Sequence, residues 1–285
     1  MYSYDDAEGN INSVFEDIIG DIENKSFPIV RYVSESSELQ DSDVPALITY
    51  MALSLLRNPV WQEAVVQFHR DAVQSFAKIL EQRGELTPFD GGGPLHGKQF
   101  SDLVDEGIVD LQINNDRFLI SIKDAFMSLV KALSGFSYSL IICDSGQFSI
   151  GDHPLTYFHP GKNFGPYGLP LGGDNCEVTF PLSAHVSVYG QWQRPTPKLY
   201  SKYAVREANR RQAVYANIGL ATRRESQHTR HLTRKYRDFH FGSDTQSIPS
   251  EGGYLTISRR SILPVMSGNE INRKTKPIIS FDNLR

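Results

Sequence analysis

The hydrophobic pattern of this chain changes its period once, near residue 135, and this change limits the folds that the chain can adopt. Before it, apolar residues recur every three or four positions, which is the spacing of amphipathic helices. After it, short apolar runs between turn residues replace the helical spacing, which is typical of strands. Helices first and strands afterwards is the order of an α+β protein. We therefore predict an α+β fold with a helical N-terminal half packed on a small, mostly antiparallel sheet.

The pattern predicts one α+β domain over residues 1–240, with a helical part at 10–134 and the sheet and a basic helix at 137–240. Residues 241–285 are predicted to hold a linker up to 252, a short strand and a mobile polar tail from 271. Asp43 is a candidate N-cap for the second helix, and Pro45 fits its first turn. The predicted helices are 11–22, 43–57, 58–84, 100–111, 118–133 and 203–220. The predicted strands are 138–143, 147–150, 177–180, 184–189 and 254–257, the first two joined as a hairpin.

Composition is that of a soluble globular protein. The chain has 285 residues and 40% hydrophobic content, enough to bury a core. Its two cysteines are Cys143 and Cys176, and Cys143 sits in an apolar run, so a buried free thiol is favoured over a disulfide. The N-terminus lacks the basic-then-apolar order of a signal peptide, and the longest apolar stretch is shorter than the ~20 residues that cross a bilayer. We expect a cytoplasmic protein with no membrane partner.

Charge is distributed unevenly along the chain, although the net charge is only −4. Residues 1–50 hold 11 Asp and Glu against two Lys and Arg, whereas residues 191–240 hold 12 Lys and Arg against three Asp and Glu. Such polarity creates a local field that the total conceals. Either the two ends face each other, within the fold or in a homo-oligomer, or the basic end binds an anion.

A turn at 151–154 places Asp152 and His153 side by side at a predicted strand end. The residue before a proline favours extended backbone, so the Asp152 carboxylate can accept hydrogen bonds from N–H groups just downstream. A structural turn explains this pattern, and a catalytic or anion-binding role is the alternative. A metal site that also uses His159 is a third interpretation. Metal sites draw three or four ligands at recognisable spacing, which is not evident here, so we predict no metal.

Five short motifs occur in an order that resembles a bacterial family known as domain of unknown function 4238. The likeness covers roughly residues 20–220. This chain starts after the point where the family's His-x-x-Pro segment and aromatic strands would lie, and Gly151 stands where the family usually has serine. We therefore expect a shortened or divergent member, and the resemblance implies no activity or cofactor. The motifs are Glu23 on a helix, Arg57-Asn58-Pro59, Gly151-Asp152-His153-Pro154, Pro181-Leu182-Ser183, and Asn209 on a later helix.

If that family has one shared pocket, its polar members here are Asp152, Ser183 and Asn209, which are our candidate catalytic residues. We expect them to lie within about 10 Å of one another, the span of one small pocket. All three can form hydrogen bonds and lie at predicted element ends, where sites gather. Ser183 lacks the Gly-x-Ser-x-Gly elbow of a serine nucleophile, so bonding at a strand edge is the alternative for it.

Residues 92–99 match the first seven positions of a phosphate-binding loop, G-x-x-x-x-G-K. The eighth position is Gln99, where a serine or threonine hydroxyl should hold Mg²⁺. Pro88 also interrupts the segment in which the motif requires a buried strand. We predict an exposed connection between helices instead.

The basic segment 206–237 is a candidate nucleic-acid or anion-binding site. Its cations neutralise phosphates, and the interleaved Tyr236 and Phe239 can stack bases, as single-stranded nucleic acid requires. The alternative is a solvated basic helix or one that pairs with the acidic N-terminus. His228 and His231 have the spacing of a metal pair, but their cationic surroundings disfavour a metal. The predicted binding residues are Arg206, Arg210, Arg230, Arg234, Lys235 and Arg237.

The functional hypothesis is an intracellular bacterial protein that binds nucleic acid or another polyanion through residues 206–237, with a hydrolytic site near Asp152. The alternative is a non-enzymatic protein–protein interaction or assembly module that uses the acidic N-terminal and basic C-terminal surfaces. Many bacterial proteins of this sort serve in defence or mobile-element contexts, which is an association only. The sequence identifies no cofactor, substrate or reaction, and leaves open whether the protein is an enzyme.

Overall fold

The computed structural model describes residues 4–5, 11–12, 14–109, 115–159, 171–216, 218–235, 241–250, 253–264 and 276–278. Within these ranges the helices lie mostly in the N-terminal half and the strands pair antiparallel, so the predicted α+β class is confirmed. The helices are α1 (Val14–Ser36), α2 (Val44–Leu56), α3 (Pro59–Gln82), α4 (Phe100–Asp105), α5 (Asn115–Leu133), α6 (Lys202–Tyr215) and α7 (Gln227–Lys235). The strands are β1 (Tyr4–Asp5), β2 (Ile11–Asn12), β3 (Phe136–Ile142), β4 (Ser149–Gly151), β5 (Thr156–Phe158), β6 (Glu177–Pro181), β7 (Val186–Trp192), β8 (Leu220–Thr222), β9 (Phe241–Ser250) and β10 (Gly253–Pro264).

The most apolar helix, α2, is central to the helical half and packs against α1, α3 and α5. Pro45 lies in its first turn, where a missing backbone N–H leaves no helical hydrogen bond unmade. The predicted boundary at Asp43 is correct, but the predicted cap is wrong. The Asp43 carboxylate accepts a hydrogen bond from the Gln40 N–H at 2.9 Å and so fixes the turn before the helix.

Helix α1 begins later and continues further than the predicted 11–22. Residues Ile11–Asn12 form β2, and the helix passes through Pro28 to end at Ser36. Its buried positions continue beyond the proline at Val30 and Val33, so packing outweighs the helix-breaking signal of Pro28. Glu23 of α1 forms an ion pair with Arg57 just after α2. Two of the motif positions therefore fasten α1 to the end of α2.

A four-stranded antiparallel sheet follows, with the spatial order β3-β7-β6-β5. Strand β6 is buried at all five residues, which identifies it as a central strand. The sheet and the helices share one apolar core, which holds the two halves of the fold together. Its members include Met51 and Leu133 from the helices and Leu140, Val178 and Val188 from the sheet.

The predicted hairpin between 138–143 and 147–150 is wrong. β3 pairs with β7 along its length, and its other side bonds to Leu199 through the Ile142 N–H at 2.8 Å. Both edges of β3 are therefore occupied, and β4 pairs with β8 instead. β8 occupies the end of the predicted helix 203–220, because α6 ends earlier, at Tyr215.

The C-terminal region is more structured than predicted. Residues 240–252 were expected to be a linker, yet β9 and β10 form an antiparallel hairpin that contacts α3. Residues 276–278, within the predicted mobile tail, lie against α6, and Ile278 is buried. The Ser, Gly and Pro content of 241–253 suggests loop because such residues are depleted in strands, and here tertiary pairing overrides it.

Both cysteines are free and buried, as predicted for Cys143. Burial raises the pKa of the Cys176 thiol to about 11. In the part of the chain that the structure describes, no helix combines the length and apolar character that a bilayer crossing requires.

Candidate functional site

A cleft of about 890 Å³ lies between α6, α7 and the loop 145–147. We call it the basic cleft, because cations and histidines provide most of its charged lining. Four lining residues are Lys or Arg, and one, Glu225, is acidic. The charged and titratable lining residues are Lys202, Arg206, Arg210, Arg224, Glu225, His228 and His231.

One wall of the basic cleft is a stripe of cations on α6. Lys202, Arg206 and Arg210 follow one another at intervals of four residues, so they lie on one face of the helix. Ser201 caps this helix and its hydroxyl accepts a hydrogen bond from the Ala204 N–H at 3.3 Å. The adjoining face, with Ala204 and Ala208, is buried against the sheet side of the protein. The stripe is thus held by a helix whose rotation is fixed by packing.

The opposite wall is the first part of α7 and the residues just before it. The Ser226 hydroxyl accepts a hydrogen bond from the Thr229 N–H at 3.1 Å, which caps the helix. Leu232 is 4% exposed and anchors α7 in the main core. This anchoring leaves His228 and His231 exposed along the cleft.

The floor of the basic cleft is fastened by side-chain amides. Asn209 donates through Nδ2 to the Gln147 carbonyl at 2.9 Å and accepts through Oδ1 from the Ser149 N–H at 2.7 Å. The Gln147 side chain in turn accepts from the Arg224 N–H at 2.9 Å and donates to the Arg224 carbonyl. Loop 145–147 is therefore tied to α6 on one side and to the α7 approach on the other, and the cleft is preformed.

The field in the basic cleft is positive. Glu225 forms an ion pair at 2.6 Å with Arg230, which does not line the cleft. Arg210 forms an ion pair at 2.8 Å with the buried Glu207. Within the described residues, Lys202, Arg206 and Arg224 have no carboxylate partner. Partial burial lowers the pKa of His228, and the nearby Arg206, His231 and Arg210 lower it further. The cleft therefore disfavours added positive charge and favours an anion.

Asp152 holds a turn. Its carboxylate oxygen Oδ1 accepts hydrogen bonds from the Ile218 and Gly219 N–H groups at 3.1 and 3.3 Å. These contacts tie the turn after β4 to the segment before β8. These contacts are those of the structural turn, which was one of the interpretations of Asp152 from the sequence.

Ser183 also bonds to backbone. Its hydroxyl accepts hydrogen bonds from the His185 and Val186 N–H groups at 3.2 and 3.1 Å, at the turn between β6 and β7. It lines a separate cavity of about 220 Å³, whereas Asn209 lines the basic cleft and Asp152 lines neither. The structure does not bring the three candidate catalytic residues into one cavity.

The structure also places the loop 92–99 and His153. Residues 92–99 form a largely exposed connection between α3 and α4, with a short 3-10 turn at Gly93–Leu95, as predicted. No strand leads into it, because α3 precedes it. His153 is 2% exposed, with its ring 5.4 Å from that of Tyr215. Among the side chains that the structure describes, no group of three His, Cys, Asp or Glu is placed to hold a metal ion.

The predicted binding residues divide into three groups. Arg206 and Arg210 line the basic cleft. Arg230 and Arg234 are exposed on α7, outside the cleft lining, and Arg230 is paired with Glu225. Lys235 ends α7, and Arg237 lies outside the described residues.

Sequence reasoning missed Lys202 and Gln147 as cleft residues. The signal for Lys202 was present, since it lies four residues before Arg206 and therefore extends the same helical stripe. Gln147 gave no such signal, because its position depends on Arg224, 77 residues away. Comparisons of the chain with protein-family models, with curated proteins and with solved structures found no match.

Proposed function

We propose that the basic cleft binds nucleic acid or another polyanion. The observation that carries this proposal is the set of three cations, Lys202, Arg206 and Arg224, that line a preformed concavity without a carboxylate partner among the described residues. Surface cations usually lie in open water or beside an acid. Here they converge on one volume whose size falls within the range of ligand sites.

The lining favours recognition of charge over recognition of bases. Guanidinium groups present a planar fork that matches the oxygens of a phosphate, and the cleft offers three of them, on Arg206, Arg210 and Arg224, beside Lys202. Among the described residues, the rings in the lining are the imidazoles of His228 and His231, with no phenylalanine, tyrosine or tryptophan, and the predicted stacking residues Tyr236 and Phe239 lie outside the described residues. We therefore expect binding that depends weakly on sequence and steeply on salt.

A titration of a labelled single-stranded oligothymidylate of about 15 nucleotides, read by fluorescence anisotropy at several salt concentrations, tests the proposal. The test variant is Arg206→Gln with Arg224→Gln. The matched control is Lys123→Gln with Lys131→Gln, which removes the same charge from exposed positions on α5. The cleft variant should bind more weakly and lower the slope of log affinity against log salt by about 1.4, because two phosphate contacts are lost.

Equal losses in the two double variants would mean that only net charge matters, and would contradict a site in the cleft. No binding by the wild type would favour the alternative of a protein-interaction or assembly module. Of the acidic residues in α1, Asp21 and Glu35 pair with neighbouring lysine and arginine on the same helix, so these described contacts do not support a pairing of the acidic and basic ends.

Two further hypotheses, a hydrolytic role for Asp152 and the family resemblance, stay proposals. A hydrolytic role for Asp152 gains no support from its two described hydrogen bonds, which come from backbone N–H groups. Membership of the domain of unknown function 4238 family rests on the motif order alone. This resemblance implies no activity for the chain, and the polyanion proposal does not depend on it.

A further inference from the structure

Residues 276–278 lie on the protein as a short segment outside any helix or strand, and its backbone is bound by side chains. The Lys276 N–H donates to Glu207 Oε1 at 2.6 Å, and the Lys276 carbonyl accepts from Arg211 Nη2 at 2.7 Å. The Pro277 carbonyl accepts from the Tyr203 hydroxyl at 3.1 Å. The Ile278 N–H donates to both oxygens of Glu177, at 3.1 and 2.9 Å. Side chains thus bind both N–H groups of the segment and two of its three carbonyls, and proline has no N–H to satisfy.

The segment also has a side-chain anchor. Ile278 is 6% exposed and belongs to a small apolar cluster separate from the main core. The cluster combines Ile141 of β3 and Tyr189 of β7 with Ala204 and Ala208 of α6. An aliphatic side chain is therefore required at this position, whereas Lys276 is bound through its backbone and its own side chain is exposed.

The groove that holds the segment is built from buried charges. Glu177, Glu207 and Arg211 are 0%, 1% and 0% exposed, and Arg211 Nη2 lies 2.5 Å from Glu177 Oε2. Arg211 also lies over the Phe158 ring, and Tyr189 donates its hydroxyl to Glu177 at 3.0 Å. Burial raises the pKa of Glu207, an effect that Arg211, the Lys276 N–H and Arg210 oppose.

Two buried carboxylates and one guanidinium are a costly arrangement unless further donors and acceptors complete it. Here the completing groups are the Tyr189 hydroxyl, Arg210, and the backbone N–H and C=O groups of residues 276–278. Any extended peptide carries the same backbone groups, while the proline and the aliphatic residue select among peptides. This combination of backbone bonds and one side-chain pocket is how peptide-binding domains recognise extended segments.

We propose that the groove formed by Glu177, Glu207, Arg211 and Tyr203 is a binding site for an extended peptide with a proline followed by an aliphatic residue. The chain fills this site with its own residues 276–278. The groove is a different site from the basic cleft, and its ligand is a peptide and not an anion.

The test uses the full chain with a protease site introduced between residues 265 and 275, cleaved after folding. A labelled synthetic peptide of residues 273–281 is then added, and its uptake is followed by fluorescence anisotropy. We expect the peptide to replace the cleaved fragment. The same peptide with Ile278→Ala should bind about thirtyfold more weakly, because its apolar anchor is lost.

Two tyrosine variants provide a matched pair on the protein side. Tyr203→Phe removes the hydroxyl that binds the Pro277 carbonyl and should weaken the peptide about three- to tenfold. Tyr200→Phe removes a hydroxyl from an exposed tyrosine just before α6 that has no described hydrogen bond to the segment, and should leave binding unchanged.

Three outcomes would overturn the proposal. The first is a cleaved fragment that no excess of peptide displaces, and the second is a protein that unfolds when the fragment leaves. Either would make 276–278 an integral part of the fold. The third is equal binding of the native and Ile278→Ala peptides, which would mean that the groove does not recognise the segment.

Discussion

His228 lies among cations, and its protonation is therefore sensitive to what occupies the basic cleft. Arg206 and Arg210 face it from α6, His231 is on its own helix, and Arg224 and Glu225 complete the charged lining. Partial burial and these cations hold the pKa of His228 below its usual value. A bound anion would reverse the electrostatic part of this effect, because an opposite charge favours the protonated ring.

Polyanion affinity should consequently rise as the pH falls. The bound protein takes up a proton that the free protein does not hold, so acidification between about pH 8 and pH 5 favours the complex. Oligothymidylate titrations across this range should show a steeper rise for the wild type than for His228→Gln. His96→Gln, at an exposed loop position outside the cleft lining, is the control and should follow the wild type. Parallel curves for all three proteins would mean that His228 does not face the ligand.

At the scale of elements, α6 organises both sites. Its stripe of Lys202, Arg206 and Arg210 faces the basic cleft, and its buried side carries Glu207 and Arg211 into the peptide groove. A further pair of amides fastens the turn after β4. Gln212 accepts through Oε1 from the Gly151 N–H at 2.9 Å and donates through Nε2 to the Pro154 carbonyl at 2.6 Å.

This fastening explains the glycine at position 151, where the resembled family usually has serine. A Cβ there would lie 3.2 Å from both the Ala216 Cβ and the Gln212 carbonyl oxygen, so a side chain at this position would require β4 and α6 to move apart by a few tenths of an ångström. Gly20 in α1 has nothing within 4 Å of its Cβ position. An added methyl group would therefore meet close neighbours at Gly151 and open space at Gly20.

Gly151→Ala should lower the free energy of unfolding by about 1 to 3 kcal/mol, because it overpacks the contact between β4 and α6. Gly20→Ala should raise it by about 0.5 to 1 kcal/mol, since alanine is the better helix former. Urea unfolding followed by circular dichroism measures both. A Gly151→Ala protein as stable as the wild type would mean that β4 can move away from α6 at no cost.

The sequence predicted those elements whose cause is local. Helix α3, the place of Pro45 in the first turn of α2 and the exposed loop 92–99 all follow from neighbouring residues, and all are confirmed. The pairing of β4 with β8 and the burial of Arg211 could not be predicted in this way. Arg211 depends on Glu177, 34 residues earlier, and on Lys276, 65 residues later.

At the scale of the whole molecule, the candidate sites also divide into features with a local cause in the sequence and features that depend on distant residues. The positive stripe of α6 could be predicted because helical spacing alone aligns Arg206 with Arg210. The spacing of Asp152, Ser183 and Asn209 in the sequence could not predict whether these residues come together in the fold. Each of the three bonds to backbone in a different place, and motif order in the chain gives no information about distance in the fold.

Glu207 of the peptide groove contacts Arg210 of the basic cleft. Its Oε1 accepts from the Lys276 N–H at 2.6 Å, and its Oε2 pairs with Arg210 at 2.8 Å. When the segment 276–278 leaves, this buried carboxylate loses a donor. Arg211, whose Nε lies 3.8 Å from Oε1, and Arg210 are the partners able to compensate, and a tighter pair between Arg210 and Glu207 would withdraw the charge of Arg210 from the cleft.

Displacement of the segment should therefore weaken polyanion binding, by about fivefold if the coupling is at the lower end of the usual range. This expectation rests on both proposals. The measurement compares oligothymidylate affinity in the cleaved protein before and after removal of its C-terminal fragment, and again after the synthetic peptide is restored. Linkage requires the converse as well, so saturating oligothymidylate should strengthen the peptide by the same factor.

Arg210→Gln supplies the control, because it removes the group through which the two sites communicate. Its polyanion affinity should be lower than that of the wild type but independent of whether the groove is filled. If the wild type binds oligothymidylate equally well with the groove full and empty, Glu207 holds the segment and Arg210 without connecting them. If instead the Arg210→Gln protein keeps the full difference, the coupling runs through α6 as a body, whose buried side the segment helps to hold, and not through the Glu207 carboxylate.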